Sequence, residues 1–237
     1  MDSEEKISQI LKELEDKLRR KHEDSVIEIF RKRVEKLARR EKKTLISAPL
    51  DGQDRELGAD FFITEGTRFA IFEFKYKVGD IVSENDKPLR KTLCETLQGA
   101  KIPYNQHINC HYIAWSTKAD NPDVHINIYS NEVCNQSLFK ASVSLEKEAN
   151  IASRIIDVDY IAEFFAGKRG LKFTAFNKYI QWLHSLVGNE TGRFELLFEH
   201  PDENIVQSVP IASLDALKLW LLKNAPSSPS KRMRRTP

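Results

Sequence analysis

The segment from Arg68 to Tyr76, RFAIFEFKY, limits what this chain can fold into. After Arg68, only Glu73 and Lys75 interrupt its apolar side chains. Strand side chains alternate between two faces. Phe69, Ile71, Glu73 and Lys75 therefore share one face, and Ala70, Phe72, Phe74 and Tyr76 share the other. A strand apolar on both faces belongs in the interior of a sheet covered on both sides. The preceding segment, Asp60 followed by Phe61, Phe62 and Ile63, reads as its hairpin partner, with Glu65 and Gly66 supplying the turn. Buried charges need partners or a metal. Two carboxylates, Asp60 and Glu73, beside the Lys75 amine form a candidate site for a hard cation.

An Asp followed by Glu-x-Lys on an apolar strand resembles the PD-(D/E)xK nuclease superfamily. Here the pieces are Asp60, with Ala59 where the family name has Pro, and Glu73-Phe74-Lys75. The resemblance covers roughly residues 23–130. It implies an α/β, restriction-endonuclease-like mixed sheet flanked by helices. It also implies Mg²⁺ (or Mn²⁺) held by Asp60, Glu73, the backbone carbonyl of Phe74 and Glu23. Glu23 shares a helix face with Ile27, Phe30 and Val34, whereas Glu28 points away from that stripe. Lys75 is implied as the catalytic amine, its pKa depressed by burial and by the metal. Gln98, with Lys101 beside it as a candidate, is implied from the following helix, although Tyr104 lies too far on for the family's Gln-x-x-x-Tyr form.

Read in order, the chain divides at four places. Residues 1–22 are an N-terminal helical arm, part of a helical segment from Ser3 to about Lys42. LRRKHED, from Leu18 to Asp24, interrupts its apolar stripe as a kink or break. The arm packs either on a partner subunit or on the protein's own core. Residues 23–136 are the nuclease-like core. Its strands are expected at Thr44–Ala48, at the two hairpin segments, at Asn109–Ser116 and at Val124–Tyr129, with a helix from Pro88 to about Lys101. The loop after Pro49 carries Asp51, Asp54 and Glu56, close to the candidate site. Residues 137–224 are a helical and α+β region. Helices are expected at Ile151–Ile156, Asp159–Ala166, Thr174–Val187 and Ser213–Lys223, and short strands at Phe194–Phe198 and Ile205–Val209. Lys168, Arg169 and Lys172 form a basic loop that is a candidate phosphate contact. Residues 225–237, rich in Pro and Ser and then basic, are expected to be disordered alone.

The composition fits a soluble globular protein: 41% apolar and 30% charged over 237 residues. A net charge of +2 is too small to indicate nucleic-acid binding by itself. No run is apolar enough to cross a bilayer, so no membrane partner is expected. The acidic start MDSEEKISQI does not read as a signal peptide. Cys94, Cys110 and Cys134 have no metal-ligand spacing and read as reduced thiols of a cytoplasmic protein. His107, His111 and His125 are scattered singly and read as structural. The expected function is that of a metal-dependent endonuclease, a hydrolase acting on nucleic acid, DNA ahead of RNA. Antiviral defence in bacteria is its setting by analogy with the family. The alternative is a non-catalytic binding or regulatory module on the same fold. A homo-oligomer, or a protein partner held through the N-terminal helix, is the further expectation.

Overall fold

Among the described residues, six strands form one mixed sheet in the order β1–β6, and two further strands form a separate hairpin. A computed structural model describes residues 3–50, 59–117, 123–186, 194–199 and 206–211. The expected helix at Ser213–Lys223, the basic tail and the acidic loop at Asp51, Asp54 and Glu56 lie outside the described residues.

The chain begins with α1 (Ser3–Glu41), one unbroken helix of 39 residues. The expected break at Leu18–Asp24 is absent, because charged residues interrupt an apolar stripe without breaking backbone hydrogen bonding. Lys42 ends the helix in the left-handed region (φ 53°), and the Lys43 N–H donates to the Ala38 carbonyl at 2.9 Å. Then come β1 (Ile46–Pro49), β2 (Phe61–Thr64) and β3 (Phe69–Lys75), paired antiparallel as a meander. Gly66, at φ 92°, makes the β2–β3 turn that its position foretold.

The crossover from β3 to its parallel neighbour β4 (His111–Ser116) contains a 3₁₀ helix at Val78–Asp86, then α2 (Pro88–Gly99) and α3 (Lys101–Cys110). The sequence reading expected a loop and a single helix here. The 3₁₀ helix and α3 are corrections. Pro103 sits in the first turn of α3, where its missing N–H leaves no helical bond unmade. Strand β5 (Val124–Ile128) runs antiparallel to β4. A short α4 (Tyr129–Val133) follows it directly. Ile151–Ile156, expected as helix, is instead a 3₁₀ turn followed by β6 (Ile155–Ile156), which extends the sheet edge. α5 (Asp157–Phe165) and α6 (Phe173–Leu186) come next. The hairpin of β7 (Phe194–Glu199) and β8 (Val206–Ile211) is the last described element.

Two cores flank the sheet, as the apolar faces of β3 require. On one side Val26, Phe30 and Val34 of α1 and Tyr160, Ile161 and Phe164 of α5 pack on Phe72, Phe74, Tyr112 and Ile126. Arg33 of α1 donates to Asp157 at 2.6 Å and ties these two helices together. On the other side Leu93 and Leu97 of α2 and Phe176, Tyr179 and Leu183 of α6 cover Phe69, Ile71, Ile113 and Trp115. Elements after residue 136 thus cover both faces of the sheet.

The cysteine reading is corrected. Cys94 and Cys134 form a disulfide across 40 residues of sequence, joining α2 to the end of α4, and Cys110 is the free, buried one. Spacing along the chain does not report which side chains meet in space. Among the described residues, no helix is long and apolar enough to cross a membrane.

Candidate functional site

Strand parity places Glu73 and Lys75 on the α2 side of the sheet, 1% and 3% exposed. The β3 hairpin brings Asp60 to them. The Asp60 N–H donates to the Phe72 carbonyl at 2.7 Å, and the Asp60 carbonyl accepts from Leu50 N–H at 2.8 Å. The backbone on either side of the carboxylate is therefore fixed, and Asp60 Oδ2 accepts the Phe74 N–H at 2.6 Å. Phe74 thus meets Asp60 through its amide, while its side chain is buried in the opposite core.

Lys75 Nζ lies 2.5 Å from Glu73 Oε1 and 2.9 Å from Glu84 Oε1. Lys87 Nζ duplicates both contacts, at 2.7 Å and 2.8 Å. Arg90 Nε holds Glu84 Oε2 at 3.2 Å, and its guanidinium stands 4.0 Å from Glu73 Oε2. The Tyr129 hydroxyl donates to Glu84 Oε2 at 2.6 Å. Glu73 Oε2 is buried and accepts no hydrogen bond among the described residues.

Glu84, Lys87, Arg90 and Tyr129 were not found from the sequence. A signal for three of them exists in the spacing. Ile81, Glu84, Lys87 and Arg90 recur every third residue, and the first two lie in the 3₁₀ helix, where side chains three apart eclipse. Ile81 anchors that face in the core, which turns Glu84 inward. Lys87 then stands at the N-cap position of α2 and Arg90 enters from its first turn. Tyr129 had no comparable signal, since it arrives from beyond β5.

Charge sets the protonation states. Burial is the largest influence on Asp60 and raises its pKa, and the Glu73 carboxylate adds to the rise. Lys75, the Phe74 N–H and Lys87 oppose this without cancelling it, so Asp60 sits well above the carboxylate range. Burial pushes Glu73 up as well, but Lys75, Lys87 and Arg90 outweigh it and hold Glu73 well below that range. Glu23 reaches the same field from α1: burial raises its pKa, Lys75 lowers it and Glu73 raises it. Glu28 is instead engaged by Arg31 and Lys32 on the helix surface.

The expected depression of the Lys75 pKa is corrected. Burial lowers it, but Glu73, Glu84, Asp60 and Glu23 together overcome burial and raise it well above the usual amine value. Lys75 is an ammonium ion in this environment. Gln98 and Lys101 are exposed, with Gln98 about 12 Å along α2 from Arg90 at 1.5 Å per residue. Arg90, not Gln98, is the α2 residue that enters the cluster. In the basic loop, Arg169 is paired with Glu163 and stacks over Tyr160. Its guanidinium is thereby occupied within the fold, while Lys168 and Lys172 are exposed.

His107 and His111 are tied into the fold by hydrogen bonds. The Tyr179 hydroxyl bridges His107 Nδ1 at 2.6 Å and His111 Nδ1 at 2.8 Å, and His107 Nε2 accepts from the Ser130 N–H. Burial, with His111 alongside, drives the His107 pKa far down. Among the described residues, no group of three or more His, Cys, Asp or Glu side chains is arranged to hold a metal. No known protein family's model matches the chain, and neither a curated protein nor a solved structure does.

Proposed function

We propose that this protein is a Mg²⁺- or Mn²⁺-dependent nuclease whose site is built from Asp60, Glu73 and Lys75. One observation carries the reading: the Glu73 Oε2 atom is buried without a hydrogen bond beside Asp60, a carboxyl group whose pKa is raised by burial and by the Glu73 charge. A divalent cation between them relieves both conditions. Mg²⁺ needs few protein ligands, because it keeps several of its waters. The residues fit it in charge too. Four carboxylates (Asp60, Glu73, Glu84, Glu23) face three cations (Lys75, Lys87, Arg90), a formal balance of −1. A divalent cation turns that balance positive, which suits a phosphodiester.

Asp60 and Glu73 would hold the ion, with Glu23 and the Phe74 carbonyl completing the set. A bound Mg²⁺ supplies an acidified water and offsets charge on the scissile phosphate. The chain's own residues do the rest. Glu84 Oε1 forms ion pairs with both Lys75 and Lys87, so the two amines stay anchored when Glu73 turns toward an ion. Lys75, held as ammonium, stabilises negative charge on the phosphate instead of removing a proton from water. Lys87, half-buried at the start of α2, can meet a second phosphate oxygen. The substrate class is nucleic acid, with DNA ahead of RNA, and bacterial antiviral defence is the setting suggested by the family resemblance.

A second reading has its own support. Every carboxylate oxygen of Glu84 and of Glu73 already lies within ion-pair distance of a cation, so the cluster can be a structural ionic core of a binding module. Calorimetric titration with Mg²⁺ and Mn²⁺, and cleavage assays on plasmid, linear duplex, single-stranded DNA and RNA, separate the two. The nuclease requires ion binding that Asp60→Ala abolishes and cleavage that both Asp60→Ala and Lys75→Ala abolish. Ion-independent stability with no turnover on any substrate leaves only the binding module.

A further inference from the structure

The described side chains from Glu5 to Lys21 are all exposed, although the segment is helical. Leu11, Leu14 and Leu18 lie along one line of this arm and are 50–56% exposed, with Ile10 flanking them at 56%. Spacing of three and then four residues is the seam of a two-helix coiled coil. In sequence the seam extends back to Ile7 and Glu4 and forward to Lys21.

Charge decides what covers the seam. Residues 2–16 carry six acidic and two basic side chains, whereas residues 17–21 carry four basic ones and no acidic one. A helix with this polarity complements itself when reversed. In an antiparallel pair, Leu11 faces Leu14 of a second copy, Leu18 faces the Ile7 position, and Lys21 faces the Glu4 position. A parallel pair sets lysine against lysine and glutamate against glutamate at the two ends.

We propose that the arm of this chain pairs antiparallel with the arm of a second copy, making a homodimer. The acidic start of one copy then lies along the basic end of the other, next to Glu23. The dimer does not depend on the nuclease reading.

Sedimentation equilibrium of the full-length protein tests it. The expected mass is twice 27.4 kDa at micromolar concentration. Leu11→Asp with Leu18→Asp should weaken dimerisation at least about tenfold and leave the melting temperature of the sheet core unchanged, since both leucines are exposed. Lys21→Glu should also weaken the dimer, and adding Glu4→Lys should restore it. That rescue occurs only in the antiparallel arrangement, because in a parallel pair either swap leaves like facing like. A monomer at all concentrations up to about 100 µM, the weak-affinity end of specific association, overturns the proposal. So does a dimer indifferent to the leucine changes, or one that Glu4→Lys fails to rescue.

Discussion

At the end of β3 the protein buries charge, and along its N-terminal arm it exposes leucine. Glu73, Lys75, Glu84 and Arg90 are each at most 3% exposed, while Leu11 and Leu18 are 56% exposed. Both regions reverse ordinary burial, but for different reasons. The buried charges pair with one another across β3, the 3₁₀ helix and α2. The exposed leucines have no element of the described fold to cover them. Charge inside therefore depends on a completed tertiary structure, and the exposed leucine row is the surface that the proposed second copy would cover. An isolated leucine on a surface carries no such meaning. A row of them at coiled-coil spacing does.

Substitutions should separate the two regions sharply. Lys75→Met leaves Glu73 and Glu84 short of a buried cation and should destabilise the fold by about 3–5 kcal/mol in denaturant titration. Leu11→Ser on the arm should change monomer stability by less than about 0.5 kcal/mol. Near-equal effects would mean that the cluster does not depend on Lys75. Reduction of Cys94–Cys134 should cost about 4 kcal/mol for a closed loop of this length. The loss should be felt at the site, because the bond ties the helix of Arg90 to the helix that begins at Tyr129. Tyr129→Phe removes one donor to Glu84 and should cost about 1–3 kcal/mol.

The pH response provides a smaller effect with a definite sign. The Asp60 pKa is raised in the folded protein. Its contribution to stability is therefore fully present below the ordinary carboxylate pKa and is lost as pH rises through the folded value. Glu73 is depressed, so its contribution is present above the ordinary value and is lost as pH falls through the folded one. Asp60→Asn should accordingly stabilise the metal-free protein near neutral pH, read as a higher melting temperature. At the proposed site Mg²⁺ would compete with a proton on Asp60, whose pKa is raised, so its affinity should climb with pH and proton release should be measurable by calorimetry in buffers of different ionisation heat. Metal affinity flat across that range would remove Asp60 from the ligand set.

Much of the site was legible in the sequence because the relevant rules are local. Alternation along β3 fixes Glu73 and Lys75 to one face, and Gly66 in the turn returns β2 so that Asp60 arrives beside them. The apolar character of both faces required cover on both sides, and α1 with α5 and α2 with α6 supply it. The crossover was misread where local signals conflict. The residues after Lys77 read as a loop although Ile81 and Glu84 stand three apart on a 3₁₀ helix, and α3, with Pro103 in its first turn, was not expected.

The sequence alone determined the layered α/β architecture, the shared face of Glu73 and Lys75, and the leucine seam of the arm, because periodicity along one element suffices for each. Only the tertiary structure decided that Lys75 stays protonated, that Tyr129 joins the cluster, and that Cys94 meets Cys134. Each of these depends on the summed field or the contact of groups from separate elements, which no local pattern encodes.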